Sequence, residues 1–147
     1  MNRYFSRFFF LVAAACLVFA AQTRAIAGGL APADEAGVRA VVQAQFEAFA
    51  EDNADAAFDL AAPEMQQSVG SSGRFLAMVR GVYPMVYRPA SVAYMKPETR
   101  DGSVIQLVQI TDSNERSWLA IYSLEQQADA SWRISGCIVM ENKGRAA

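Results

Sequence analysis

The chain has 147 residues, with fifteen acidic side chains, thirteen basic ones and no histidine. That length suits one domain and is short for two. The missing imidazole excludes histidine general bases, Ser-His and Cys-His nucleophile pairs, and the common zinc ligand sets.

Residues 1–27 read as a cleavable export signal. Arg3 and Arg7 precede an unbroken apolar run from 8 to 21, and Ala25-Ile26-Ala27 offers the small-x-small cleavage pattern. At about 1.5 Å per residue the run falls short of the ~30 Å of a hydrocarbon core. Retention as an N-terminal anchor and lipidation at Cys16 are the alternatives to cleavage. The expected organisation is a signal peptide at 1–27, a linker at 28–33, one domain at 34–141 and a frayed tail at 142–147. The expected location is the periplasm, with no membrane span after cleavage.

All fifteen acids and ten of the bases follow residue 27, which leaves the domain at a net charge of −5. An acidic domain without a basic cluster is a poor partner for nucleic acid. Residues 34–64 are acid-rich and residues 74–100 base-rich, so the two stretches are expected to face each other in the fold. Cys137 is the one thiol after the leader. It has no disulfide partner within the domain and sits in an apolar strand, where a buried free thiol is ordinary.

The spacing predicts a first helix opening at Pro32, Asp34 and Glu35 and running to about 51. Proline suits the first helical position, and acids suit the positive end of the helix dipole. Val38, Val41, Val42, Gln45, Phe46 and Phe49 mark its buried stripe. Asn53 is placed to cap a short helix reaching about 61. Pro63 interrupts it, one further turn is expected at 64–68, and Gly70–Gly73 reads as a flexible connection. A third helix follows at 74–83, ended by Pro84.

From residue 91 the period changes to two, which marks strands. They are expected at 91–96, 103–111, 116–127 and 132–141, with turns at 97–102, 112–115 and 128–131. Asp101-Gly102 is a strong reversal signal. Helices followed by an antiparallel meander indicate an α+β fold with the helices on one face of the sheet. Val104, Val108 and Ile110 fill one face of the second strand, and Ile105 and Leu107 the other. A sheet apolar on both sides wants a second cover, and a second copy of the chain is the expected one.

The pattern resembles the nuclear transport factor 2-like (SnoaL-like) cone and, within it, the uncharacterised family called domain of unknown function 4864. The matching residues are Gln45, Phe49, Ala57-Phe58 and Ala61-x-Pro63 in the helices. In the sheet they are Gln106, Gln109, Trp118-x-Ala120-x-Tyr122-x-Leu124 and Trp132-Arg133-Ile134-x-Gly136-Cys137. The resemblance covers about residues 34–141. It implies a cone in which helices close a pocket against a curved four-stranded sheet, and no established activity. Enzymes of the wider superfamily use Asp or His bases and Tyr donors there.

The candidate ligand-binding residues are Gln45, Tyr83, Tyr87, Gln109, Trp118 and Tyr122. Tyrosine and tryptophan combine apolar area with one polar handle. Strand parity puts Trp118 and Tyr122 on one face with Ala120 between them. Gln106 and Gln109 face opposite sides, so one at most lines the same pocket; Gln109 is the residue selected. No cofactor or metal is expected, and Gly70–Gly73 lacks the lysine and spacing of a phosphate loop. The leading expectation is a non-catalytic envelope protein that holds a small apolar ligand or serves as an accessory. The alternatives are a cofactor-free lyase or isomerase with Asp59 as base and Tyr122, Tyr83 or Tyr87 as donor, and a structural homodimer joined through the outer sheet face.

Overall fold

The computed structural model describes residues 29–144. The expected signal peptide, its cleavage site and the last three residues of the tail lie outside them. Helix α1 (Pro32–Ala50) starts two residues before the expected domain boundary, with Pro32 at its first position and Asp34 and Glu35 in its first turn. Its buried residues Val38, Val42, Gln45, Phe46 and Phe49 follow the three-and-four spacing of one stripe. Gly37 faces Trp132 from the flank of that stripe. A Cβ there would stand 3.1 Å from Cδ1 of Trp132, so the bare backbone lets α1 settle against the sheet.

Asp52 turns the chain with φ of 54°, and Asn53 then caps α2 (Ala54–Asp59) by accepting from the Ala56 amide at 3.1 Å. Pro63 opens a third helix, α3 (Pro63–Val69), where one further turn is expected at 64–68. Its missing N–H is one that a helix start leaves unpaired in any case. Gly70, with φ of 96°, ends α3 in a conformation that suits glycine. Only Gly70 and Ser71 form the connection. Ser71 accepts from the Arg74 amide and so caps α4 (Ser72–Val82), placing Ser72 and Gly73 inside a helix where a flexible link is expected. Pro84 likewise starts a short helix, α5 (Pro84–Tyr87).

The sheet is antiparallel, with five strands where the periodicity predicts four. Strands β1 (Ser91–Tyr94) and β2 (Glu98–Arg100) both pair with one side of β3 (Ser103–Thr111). β4 (Ser117–Gln126) follows β3, and β5 (Trp132–Glu141) follows β4. The expected turn at 97–102 therefore contains β2, an exposed strand with no apolar side chain to announce it. A bulge between Ser123 and Leu124 shifts the β4–β5 register. Near it, Ile134 donates to the Leu60 carbonyl at 2.8 Å, and Ala62 donates to the Ile134 carbonyl at 2.7 Å. These bonds fasten the α2–α3 junction onto β5.

The inner sheet face presents Val104, Val108, Ile110, Ala120, Tyr122, Leu124 and Ile134, all buried beneath the helices. Phe46 meets Tyr122 edge-on at 6.0 Å, and Phe75 packs against both Phe49 and Phe58. The acid-rich and base-rich stretches meet in two ion pairs, Asp52–Arg88 at 3.2 Å and Glu35–Lys96 at 3.6 Å. Both are largely exposed and contribute at most about 1 kcal/mol each.

Candidate functional site

A cavity of about 260 Å³ lies between the helices and the β4–β5 half of the sheet. Its floor is Tyr122, Ile134, Cys137 and Val139. Register explains the central pair, since Tyr122 and Cys137 are directly opposed on neighbouring strands and share the inner face. Gln45 and Phe49 of α1 form one wall, with Phe75, Met78 and Val79 of α4 and then Tyr83 and Val86 forming another. Met65, Ser68 and Val69 of α3 complete the lining. Ser68 and Met78 are the exposed members of the lining.

No charged side chain lines this cavity among the described residues. Its polar groups are few. Gln45 is 3 % exposed and its amide nitrogen donates to the Ala57 carbonyl at 3.3 Å. The Tyr122 hydroxyl lies against the Cys137 thiol. Burial pushes the Cys137 thiol up to about 12, and burial with the neighbouring sulfur holds the Tyr122 hydroxyl well above its ordinary range. Both are neutral at physiological pH, so the floor carries no charge.

The structure brings Gln45, Tyr83 and Tyr122 together and places the other candidates elsewhere. Tyr87 donates to the Asp52 carboxylate, and Arg88 lies over its ring at 4.9 Å. It serves the α1–α2 junction rather than the cavity. Trp118 shares the inner face with Tyr122, as parity requires, but sits near the end of the sheet. There its indole N–H donates to Asp112 at 2.9 Å, and Arg116 lies 5.0 Å from the ring centre. Gln109 is exposed on the outer face. Gln106 is the glutamine that points inward, fully buried, and its amide nitrogen donates to the Met95 and Leu107 carbonyls at 2.6 and 2.9 Å. It is held in the core and does not line the cavity.

Asp59 is exposed on α2, and its backbone carbonyl accepts from Arg133. Its side chain is not part of the cavity lining. The Asp59–Tyr122 acid-base pair is therefore not assembled, because the buried face of the short α2 helix carries Ala57 instead. Sequence reasoning also leaves out Cys137, Phe75 and the α3 residues as lining. Cys137 had a signal in its parity with Ile134 across the bulge only once the register was known. The α3 residues had one in Met65 and Val69, four apart on one helix face and both packed against the core.

A cluster of helices closing an uncharged pocket against an antiparallel sheet is an α+β architecture. The chain belongs to the family described as domain of unknown function (DUF4864), which matches residues 31–147. Among solved structures it is similar to an NTF-2 like protein of unknown function from Burkholderia xenovorans LB400. The two are 17 % identical, the match covers 77 % of this chain and 88 % of that one, and the TM-score is 0.49. No curated protein matches the chain.

Proposed function

We propose that this chain is an exported, non-catalytic binding domain of the bacterial envelope that holds one small apolar molecule in the cavity between α1, α4 and the sheet. The observation that carries the reading is the cavity itself: about 260 Å³, walled by aromatic, aliphatic and methionine side chains with no charge. Catalysis by proton transfer needs a titratable group within hydrogen-bond reach of the substrate. The titratable groups in this lining are tyrosines and a cysteine, of which Tyr122 and Cys137 are held neutral. The export half of the proposal rests on the leader pattern at residues 1–27.

Titration with 1-aminonaphthalene, a neutral two-ring probe that brightens in apolar surroundings, tests the binding half. The expected result is saturable binding of one probe per chain, weakened at least ten-fold by Val139→Trp, which fills the floor. Probe binding unaffected by that substitution would refute the cavity as the site. Cell fractionation tests export, with the chain shortened at its N-terminus and recovered from the periplasm as the expected result.

A second reading concerns the outer sheet face. Ile138 is 62 % exposed and Met140 46 % exposed, beside Ile105, Leu107, Leu119 and Ile121 on the same face. A patch of this kind on a lone chain favours an interaction surface, and a second copy of the chain is the proposed occupant. Sedimentation should give a dimer that Ile138→Glu converts to monomer. A monomer at micromolar concentration would contradict it.

A further inference from the structure

Gln45 sets a chemical requirement on whatever occupies the cavity. Its amide nitrogen faces the Ala57 carbonyl, a group that can only accept. Turning the amide over would set two acceptors against each other, so the carbonyl of Ala57 fixes which end of Gln45 is which. The remaining atom, Oε1, receives no hydrogen bond from the described residues, and the side chain lines the cavity while being 3 % exposed. The fully buried atom left without a partner among the described residues is Gln106 Oε1; Gln45 Oε1 is not in that position, and in the open cavity it can be solvated. A molecule that fills the cavity displaces that solvent and leaves Gln45 Oε1 unpaired unless it brings a donor of its own.

Size and charge narrow the class. An apolar cavity of about 150 Å³ takes a benzene ring, and this one, at about 260 Å³, is under twice that size. One or two fused rings fit. The lining has no cation to neutralise a carboxylate or phosphate and no anion to pair an ammonium group, so burying an ionised ligand would go uncompensated. The walls around Gln45 include Phe49, Phe75 and Tyr122, whose ring faces and edges suit an aromatic partner.

Resting on the binding reading above, we infer that the cavity selects an uncharged aromatic molecule of one or two rings carrying one hydrogen-bond donor, a hydroxyl or ring N–H, which it gives to Gln45 Oε1. Phenols and indoles are the chemical class so defined.

Four probes of one size test this on the unaltered protein by calorimetry or competition: 1-naphthol, naphthalene, 1-methoxynaphthalene and 1-naphthoate. The expected order is 1-naphthol tightest, by about three- to ten-fold over naphthalene and 1-methoxynaphthalene, which is what one net hydrogen bond contributes. The carboxylate is expected not to bind measurably. Gln45→Met keeps the side-chain length and removes the acceptor, so it should bring the ratio of naphthol to naphthalene affinity, read in the same variant, to about one. Equal or tighter binding of 1-methoxynaphthalene would overturn the donor assignment and leave the apolar-cavity reading standing. Tight binding of 1-naphthoate would overturn the charge argument in the same way. If none of the four binds, the binding reading fails, and this inference fails with it. The probe comparison on the unaltered protein decides the matter should the Gln45 variant not fold.

Discussion

Alkylation of Cys137 gives a quantitative check on the environment of the cavity floor. An ordinary thiol, with a pKa of about 8.5, is roughly one-quarter thiolate at pH 8. Burial pushes Cys137 up to about 12, which leaves about one thiolate in ten thousand at that pH. The thiolate fraction therefore falls by a factor of about 2,000. A more basic thiolate is more nucleophilic, with a Brønsted slope of about 0.4–0.5, which returns a factor of about 40. The net expectation is reaction at least ~50-fold slower than in the unfolded chain, before any steric exclusion is counted. The assay is iodoacetamide labelling of a Cys16→Ser variant at pH 8, native against urea-unfolded, followed by mass spectrometry. The same shift has a consequence for stability. The folded state keeps the proton longer than the unfolded state, so stability is unaffected below about pH 8.5 and falls as pH rises towards 12. Cys137→Ala should remove that part of the alkaline loss. A native labelling rate within about five-fold of the unfolded rate would refute the picture of a desolvated floor.

Asn53→Ala removes the acceptor for the Ala56 amide and should cost about 1 kcal/mol in urea denaturation, whereas Asn53→Asp should cost little. Gly37→Val drives a branched side chain into Trp132 and should destabilise by about 1–3 kcal/mol, with a shift in tryptophan emission. Gly81→Ala, in a helix with nothing within 4 Å of the new methyl, should instead stabilise by roughly 0.5–1 kcal/mol in the same assay. Helix α3 has no buried residue, so its amides near Gln66–Val69 should exchange with deuterium at least ~10-fold faster than those at the centre of α1.

The strands that could be read from the sequence were those with two kinds of support. β3 and β5 have the predicted limits because β-prone, largely apolar runs coincide with turn residues at each end. β2 escapes because Glu98, Thr99 and Arg100 bury nothing; only backbone pairing with β3 makes it a strand. Pro63 and Pro84 each read as a stop in one helix and prove to be the first residue of the next. Proline forbids the helix behind it and favours the one ahead, and local sequence does not say which effect the chain uses.

At the site, composition and periodicity were enough to bring forward Gln45, Tyr83 and Tyr122. The glutamine choice on β3 had a discriminating signal: Gln106 shares parity with Val104, Val108 and Ile110, and that set is the buried one. Tyr87 and Trp118 have the right chemistry for a pocket but are bound elsewhere by Asp52 and Asp112. Both carboxylates lie in turns whose direction depends on the tertiary fold. The α3 contribution to the lining depends on how the Ala61–Ile134 bridge hangs that helix over β5, a long-range contact with no local signature.

The most direct test of the binding account is native mass spectrometry of the protein purified gently from the envelope of its own cells. The account predicts one additional neutral mass of a one- or two-ring compound per chain, lost on denaturation and absent from Val139→Trp. A chain that always flies at its bare mass, and takes up none of the neutral aromatic probes when they are added, would contradict it.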